Sequence, residues 1–286
     1  MAHISAIMLR NEKIPTPPMI SAPHILVFDS GIGGLSIVQH IRQHLPKATI
    51  SYLADNLYFP YGLLDEATLT QRANDIVSWA CRRYQPSVVV IACNSASTLV
   101  LPSLRERLDV PVVGVVPAIK PAAQMSKTKV IGLLATPATI QRDYTDELIA
   151  EFAPHCEVIR VGTASLVEFV EQKMAGLNPP DTELKRVIAQ FEKSPLWPKA
   201  DTVVLACTHF PLITQELSSA APGISHWVDS GDAVARRIKS LLASTSGTPQ
   251  PQQGVNRFLF TDGRGVTDAL KNGIQLFGFD DISIVT

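Results

Sequence analysis

Two cysteines of this chain follow two similar hydrophobic segments. Cys93 comes directly after residues 88–92 and Cys207 after residues 202–206, and polar residues follow each cysteine. Runs of β-branched and aliphatic residues are typical of strands buried on both faces of a parallel sheet, and the ends of such strands are where these sheets place their chemistry. The two thiols, 114 positions apart (207 − 93), are therefore candidates for a reactive pair.

The placement of these thiols favours acid and base chemistry. A helix is predicted after each cysteine, and Pro211 stands at a helix start, where proline is best tolerated. The positive end of a helix dipole, with its unpaired N–H groups, favours a thiolate. Two thiols facing each other across a cleft could remove a proton from one face of a carbon atom and deliver another to the opposite face. The product of such a reaction is the mirror image of the substrate.

The other cysteines, Cys81 and Cys156, are expected to be ordinary packed residues. The chain lacks a dense cysteine framework, so reduced thiols are expected rather than disulfides. A zinc site is not expected, because Cys207 and His209 supply only two ligands and the sequence contains no second pair at ligand spacing. For one cysteine taken alone, a buried position at a strand end is the simpler interpretation, and two similarly placed thiols favour the reactive pair.

The hydrophobic segments form two similar series, which predicts a duplicated fold. Segments that start at residues 25, 50, 88 and 112 are followed by segments that start at 130, 158, 202 and 225. The offset of about 105 to 115 residues fits two domains. Helical patterns alternate with these segments. We therefore predict an α/β fold of two pseudo-symmetric domains, each a mostly parallel sheet flanked by helices, with the active site in the cleft between them.

The predicted division assigns residues 24–116 plus 229–286 to the first domain and residues 117–228 to the second. Residues 1–23 are predicted to form an N-terminal extension, which its prolines keep extended. The extension lacks the apolar core and cleavage site of a signal peptide. The polar stretch 244–254 is expected to be an exposed loop.

Composition excludes several classes of function. The 286 residues carry a net charge of −1 and are 46% hydrophobic. No basic stripe indicates binding to nucleic acid or to an anionic membrane, and no apolar stretch approaches the ~18 residues of a spanning helix. We therefore expect a cytoplasmic protein.

Four motifs of the chain resemble those of the cofactor-independent glutamate racemases, in the aspartate/glutamate racemase family. They are Asp29-Ser30-Gly31-Ile32-Gly33-Gly34, Pro60-Tyr61-Gly62, Cys93-Asn94-Ser95-Ala96 and Cys207-Thr208-His209. The similarity extends over about residues 24–240. It implies an isomerase that interconverts L- and D-glutamate without pyridoxal phosphate or a metal, and that supplies D-glutamate for peptidoglycan synthesis.

The resemblance also implies roles for particular residues. Cys93 is implied to face the α-hydrogen of D-glutamate and Cys207 that of L-glutamate, with Asp29 and His209 assisting the proton transfers. The residues implied to line the substrate site, mainly through hydroxyl, amide and backbone hydrogen bonds, are Asp29, Ser30, Tyr61, Gly62, Asn94, Ser95, Thr136, Thr139, Thr208 and His209. Glu168 resembles an acidic residue of the family on its helix, and a solvated glutamate is the alternative.

The glycine cluster and Asp29 each have a second interpretation. Asp29 could cap the helix that begins near Gly34, and His209 could be a satisfied core histidine. The cluster also resembles a dinucleotide motif, but Ser36 occupies the position of the third glycine. We expect the glycines to let backbone N–H groups approach a small carboxylate.

Two further functions remain open from the sequence. One is racemisation of aspartate or a related acid on the same scaffold, and the other is a non-catalytic, two-lobed protein that binds a small ligand or nucleotide. The N-terminal extension resembles that of racemases activated by UDP-N-acetylmuramoyl-L-alanine, and a disordered tail is the alternative.

Overall fold

The computed structural model describes residues 22–244 and 254–285. Nearly all of the predicted N-terminal extension and of the predicted polar loop therefore lie outside the described residues. The strands are β1 (His24–Asp29), β2 (Thr49–Ala54), β3 (Val88–Ile91), β4 (Val112–Gly114), β5 (Val130–Ala135), β6 (Glu157–Gly162), β7 (Thr202–Ala206), β8 (His226–Val228), β9 (Arg257–Phe260) and β10 (Asp281–Ile284). The helices are α1 (Leu35–His44), α2 (Glu66–Tyr84), α3 (Asn94–Arg107), α4 (Ile119–Met125), α5 (Pro137–Ile140), α6 (Asp143–Phe152), α7 (Ser165–Met174), α8 (Thr182–Phe191), α9 (Thr214–Ala220), α10 (Gly231–Ser244) and α11 (Asp268–Gln275).

These strands form two sheets, and their spatial order repeats. The first sheet has the order β10-β9-β2-β1-β3-β4 and the second β6-β5-β7-β8, with parallel pairing throughout. The order β2-β1-β3-β4 thus recurs as β6-β5-β7-β8. The predicted α/β fold with two pseudo-symmetric halves is confirmed. The first sheet is longer because β9 and β10 extend it beyond β2, and β10 has no counterpart among the predicted strands.

The chain leaves the first sheet after β4 and returns to it with β9. Between these points α10 packs against α1 of the first half. The predicted domain boundaries at 116/117 and 228/229 stay a prediction, and the distribution of strands between the sheets is compatible with them.

The central strands are buried along their whole length. Every residue of β3, β5 and β7 is buried, as their aliphatic sequences predict for sheets covered on both faces. The predicted strand at 112–116 ends early, at Gly114. The next N–H, that of Val115, donates to both Ile91 O of β3 (3.2 Å) and Ser97 Oγ (3.0 Å). No helix in the described part of the chain has the length and apolarity needed to span a bilayer.

Candidate active site

The residues predicted to carry chemistry follow the carboxyl ends of equivalent strands. Asp29 is the last residue of β1, Thr136 follows β5, Cys93 lies two residues beyond β3, and Cys207 follows β7 directly. Ligands of open parallel sheets bind beyond the carboxyl ends of the strands. The repeated strand order therefore places side chains of both halves at one location.

One cleft collects these side chains. Its lining residues, among those described, are Asp29, Ser30, Pro60, Tyr61, Gly62, Leu63, Cys93, Asn94, Ser95, Thr136, Pro137, Ala164, Val167, Cys207, Thr208 and His209. Every predicted site residue belongs to this set except Thr139 and Glu168. Both thiols are 7% exposed, so each sulfur lies at the surface of the cleft with little access to bulk water.

Cys93 is supported by Ser30 and, through it, by Asp29. Ser30 Oγ lies 3.9 Å from Cys93 Sγ and donates to Asp29 Oδ1 at 3.3 Å. Burial and then the charge of Asp29 raise the pKa of Cys93 to about 12, against the opposing effect of the N–H of Ala96. The N–H of Ala96 at the helix start favours the thiolate of Cys93, as expected, but desolvation and the neighbouring carboxylate of Asp29 outweigh it.

Cys207 has a different support, formed by His209 and Glu171. His209 Nδ1 lies 3.8 Å from Cys207 Sγ, and Nε2 lies 2.8 Å from Glu171 Oε1. Burial acts to lower the pKa of His209, but its hydrogen bonds to Cys207 and Glu171 outweigh burial and hold the pKa well above the usual value. A protonated imidazole between a sulfur and a carboxylate can give a proton to the thiolate, and the neutral imidazole that results can take it back from the thiol.

The acidic residue of α7 in the site is Glu171 and not Glu168. Glu168 is exposed and outside the cleft lining, because it points to the solvent side of the helix. Glu171 lies four residues after Val167, which lines the cleft, and residues at this spacing share one helix face. The sequence alone could not have identified Glu171 by this spacing, because only the structure shows that Val167 lines the cleft.

The glycine cluster is a place where the two halves approach each other closely. Ile32 N–H donates to Glu171 Oε1 at 2.9 Å. A Cβ at Gly31 would meet Glu171 and Phe59, and one at Gly33 would meet Thr208 and His209. The cluster thus presents an N–H group to a carboxylate of the other half of the protein, and the expected approach to a small carboxylate ligand stays a prediction.

Asp29 does not cap the following helix. The N-cap residue of α1 is Gly34, without a side-chain hydrogen bond. Asp29 instead accepts from Gly31 N at 3.2 Å and from Thr208 Oγ1 at 2.8 Å, a contact between the halves. Burial raises the pKa of Asp29, while His209 and Thr208 act to lower it.

The remaining predicted residues form the polar wall of the cleft. Thr136 Oγ1 lies 3.0 Å from Thr139 Oγ1 and 3.5 Å from Ser95 Oγ, so Thr139 is buried behind Thr136 rather than exposed to the cleft. Asn94 Oδ1 is buried and lacks a donor among the described residues. Hydroxyl and amide groups of this kind can bind an amino acid without a cationic side chain.

Arg142 is a further residue near the site that the sequence analysis did not identify. It lies at the start of α6 and donates from Nη1 to the backbone oxygen of Ser95 at 2.7 Å. It therefore ties the first turn of α3, directly after Cys93, to the second half. Its signal in the sequence is weak, because a single arginine before a helix is typical of many surfaces.

This chain is similar to known racemases in both sequence and fold. Residues 35–238 match the Asp/Glu/Hydantoin racemase family. The glutamate racemase of Aliivibrio fischeri strain ES114 is 53% identical over 219 residues, 77% of this chain and 81% of that protein. The glutamate racemase of Vibrio parahaemolyticus is 46% identical over 264 residues, 92% of this chain and 95% of that protein. The crystal structure of Escherichia coli glutamate racemase, in complex with L-glutamate and the activator UDP-MurNAc-Ala, has a TM-score of 0.86 and 42% identity, covering 93% of this chain and 98% of that one. The chain therefore belongs to the Asp/Glu/hydantoin racemase family and, within it, to the glutamate racemases.

Proposed function

We propose that this protein interconverts L- and D-glutamate by two-base proton transfer at Cα, with Cys93 and Cys207 as the two bases. The observation that carries the proposal is the placement of these thiols after the equivalent strands β3 and β7, where both line one cleft between the halves. Family membership supports glutamate as the substrate.

The proposed reaction of L-glutamate begins with Cys207 as a thiolate and Cys93 as a thiol. Cys207 takes the α-proton, and the electron pair of the broken C–H bond stays on Cα. Cys93 gives its proton to the opposite face, which forms the new C–H bond and leaves Cys93 as the thiolate. D-glutamate reacts by the same steps in reverse. The raised pKa of Cys93 supports its starting role as the acid.

Neighbouring groups are proposed to manage the protons between turnovers. His209, held by Glu171, serves Cys207, and Asp29 serves Cys93 through Ser30. The developing negative charge at Cα would be stabilised by fixed hydrogen bonds and the substrate ammonium group in a site with little water. Asn94 Oδ1, buried and unpartnered, is a suitable acceptor for that ammonium group.

The proposed reaction uses no pyridoxal phosphate and no metal. Pyridoxal phosphate requires a lysine for its Schiff base, and the described residues that line the cleft include no lysine. A metal requires several ligands, and the described residues contain no group of three or more side chains suited to hold one. The chemistry is therefore assigned to the side chains alone.

The proposed location is the cytoplasm and the proposed role is supply of D-glutamate for peptidoglycan synthesis. Cys93 and Cys207 are free thiols, and a reducing compartment keeps them so. The similarity to E. coli glutamate racemase, whose structure contains the activator UDP-MurNAc-Ala, supports UDP-N-acetylmuramoyl-L-alanine as an activator of this protein. Comparing the full chain with one lacking residues 1–20, with and without this nucleotide, tests the regulation. Equal rates with and without it in the full chain would overturn that part of the proposal.

The test of the reaction is exchange of the α-hydrogen in deuterated buffer, measured for glutamate and aspartate. We expect deuterium incorporation and inversion with glutamate, and loss of inversion by a factor of at least about 10³ in both Cys93→Ala and Cys207→Ala. Turnover of aspartate but not glutamate would assign the protein to the alternative acid. Unchanged activity in both variants would support a different chemistry.

A further inference from the structure

A second buried acidic residue, Asp55, lies beneath the cleft without lining it. Asp55 is 0% exposed and directly follows β2. Its backbone N–H donates to the backbone oxygen of Asp29 at 2.9 Å. Burying a carboxylate is costly unless charged and polar partners compensate it. A fully buried carboxylate so close to the site therefore requires a structural explanation.

Four hydrogen bonds converge on the Asp55 carboxylate from three parts of the chain. Arg72 of α2 donates from Nε at 2.8 Å and from Nη2 at 2.7 Å. Thr261, just after β9, donates from Oγ1 at 2.8 Å. Tyr61, which lines the cleft, donates from Oη at 2.6 Å. The paired arginine contact balances the buried charge and fixes its orientation, as two-pronged arginine–carboxylate pairs do.

The segment held by these contacts forms one wall of the cleft. Between β2 and α2 the chain has only the short 3₁₀ turns Asn56–Tyr58 and Tyr61–Leu63 as regular structure. Asn56 Oδ1 accepts from the backbone N–H groups of Thr261 and Asp262, and the Arg72 guanidinium lies 4.6 Å from the centre of the Tyr58 ring. Side-chain contacts thus fix a segment that has no sheet or long helix of its own.

The hydroxyl of Tyr61 is committed to Asp55. Burial and then the charge of Asp55 raise the pKa of Tyr61 well above its usual value, so the hydroxyl keeps its hydrogen. That single hydrogen points to Asp55 and cannot also be donated to a substrate. The Tyr61 ring packs edge-on against Phe28, with 6.0 Å between ring centres. Tyr61 is therefore available to the cleft through its ring and backbone.

We infer that Asp55 is a positioning residue of the racemase site, holding the Tyr61 wall in place through its contacts with Arg72, Thr261 and the Tyr61 hydroxyl. The inference rests on the proposed function, since it concerns the glutamate site. A wall displaced by about 1 Å would weaken substrate binding and alignment at once.

A double-mutant cycle tests the inference, with kcat and KM for both enantiomers of glutamate measured on folded protein. We expect Asp55→Asn and Tyr61→Phe each to raise KM by about fivefold or more. We expect the double variant to raise KM no further than the worse single variant, because the Tyr61 hydroxyl acts through Asp55. Asp75→Asn is the matched control, since Asp75 is an exposed carboxylate of α2 outside the cleft lining. We expect it to keep the parental KM.

The outcomes separate the failure of this inference from that of the proposed function. An inactive parent protein would refute the racemase function itself. An active parent together with a parental KM in folded Asp55→Asn would refute the positioning role. Multiplicative effects on KM in the double variant would refute it too, because they would indicate that the Tyr61 hydroxyl contacts substrate directly. If Asp55→Asn does not fold, Arg72→Lys and Thr261→Val replace it, and parental KM values in both refute the inference.

Discussion

Replacing Gly33 by alanine tests whether the close approach of the two halves is required for the reaction. A Cβ at Gly33 would lie 2.6 Å from Thr208 Oγ1 and 2.7 Å from His209 Cε1. Ordinary contacts between non-bonded atoms are about 3.5 Å or longer, so the methyl group requires a displacement of roughly 0.9 Å. Thr208 and His209 belong to the second half, at the place where it contacts the first. His209 also contacts the Cys207 sulfur.

We expect Gly33→Ala to lower kcat/KM about 100-fold, because a misplacement near 1 Å in a catalytic site costs on that order. The matched control is Gly223→Ala, since no atom lies within 4 Å of a Cβ at Gly223. Racemisation is followed by circular dichroism of the amino acid, and thermal unfolding of each variant verifies the fold. A folded Gly33→Ala protein whose kcat/KM stays within about threefold of the Gly223→Ala value would refute the reasoning.

Three other predictions concern the groups around the two thiols. Because the pKa of Cys93 is raised to about 12 from 9.0, iodoacetamide at pH 8 should label Cys93 about a thousandfold more slowly than an ordinary thiol. Peptide mass spectrometry measures this labelling. A labelling rate that levels off between about pH 7 and 9 would contradict this pKa. Glu171→Gln should lower kcat by roughly 10- to 100-fold. Glu168→Gln, on the exposed side of the same helix, should keep the parental kcat. Equal losses of kcat in both variants would argue against a role for the contact between Glu171 and His209. The raised pKa of His209 predicts that its stabilising contribution is complete below pH 6.5 and is lost as the pH rises through the folded-state pKa. Denaturant unfolding of the parent and of His209→Gln should therefore give a difference in the free energy of unfolding that shrinks with rising pH. A difference that grows with rising pH would contradict the raised pKa.

The fold could be predicted from sequence because buried parallel strands have a strong signal. Continuous aliphatic runs such as 88–92 and 202–206 identify the central strands, and their similar spacing in both halves reveals the duplication. β10 was not predicted because two of its four residues are polar and most of the strand is exposed at the sheet edge. Such a strand has no continuous apolar run, and its alternation of polar and apolar residues extends over only four positions.

Site residues could be predicted from the sequence only where they follow the end of a predicted strand. Cys93 and Cys207 are identifiable because each follows a recognisable strand. Glu171 lies 38 residues before His209, its hydrogen-bond partner, and nothing in a linear pattern indicates that α7 turns this face to the cleft. The direction of the Cys93 pKa was also inaccessible, because a helix start and a buried carboxylate act in opposite directions and their balance depends on depth.

The two halves repeat their strands but not their proton-handling groups, and each acid reaches across the cleft. Asp29 of the first half bonds to Thr208 of the second, while Glu171 of the second bonds to the N–H of Ile32 in the first. Opening the cleft would therefore break both supports together. Because L- and D-glutamate have equal free energies, any variant must keep kcat/KM equal in the two directions, however unequal its supports. Unequal damage to the Cys93 and Cys207 sides then appears as a difference between the kcat values for the two enantiomers, with the KM values differing by the same factor. A defect in closure instead lowers kcat/KM for both enantiomers and leaves the ratio of the two kcat values at its parental value.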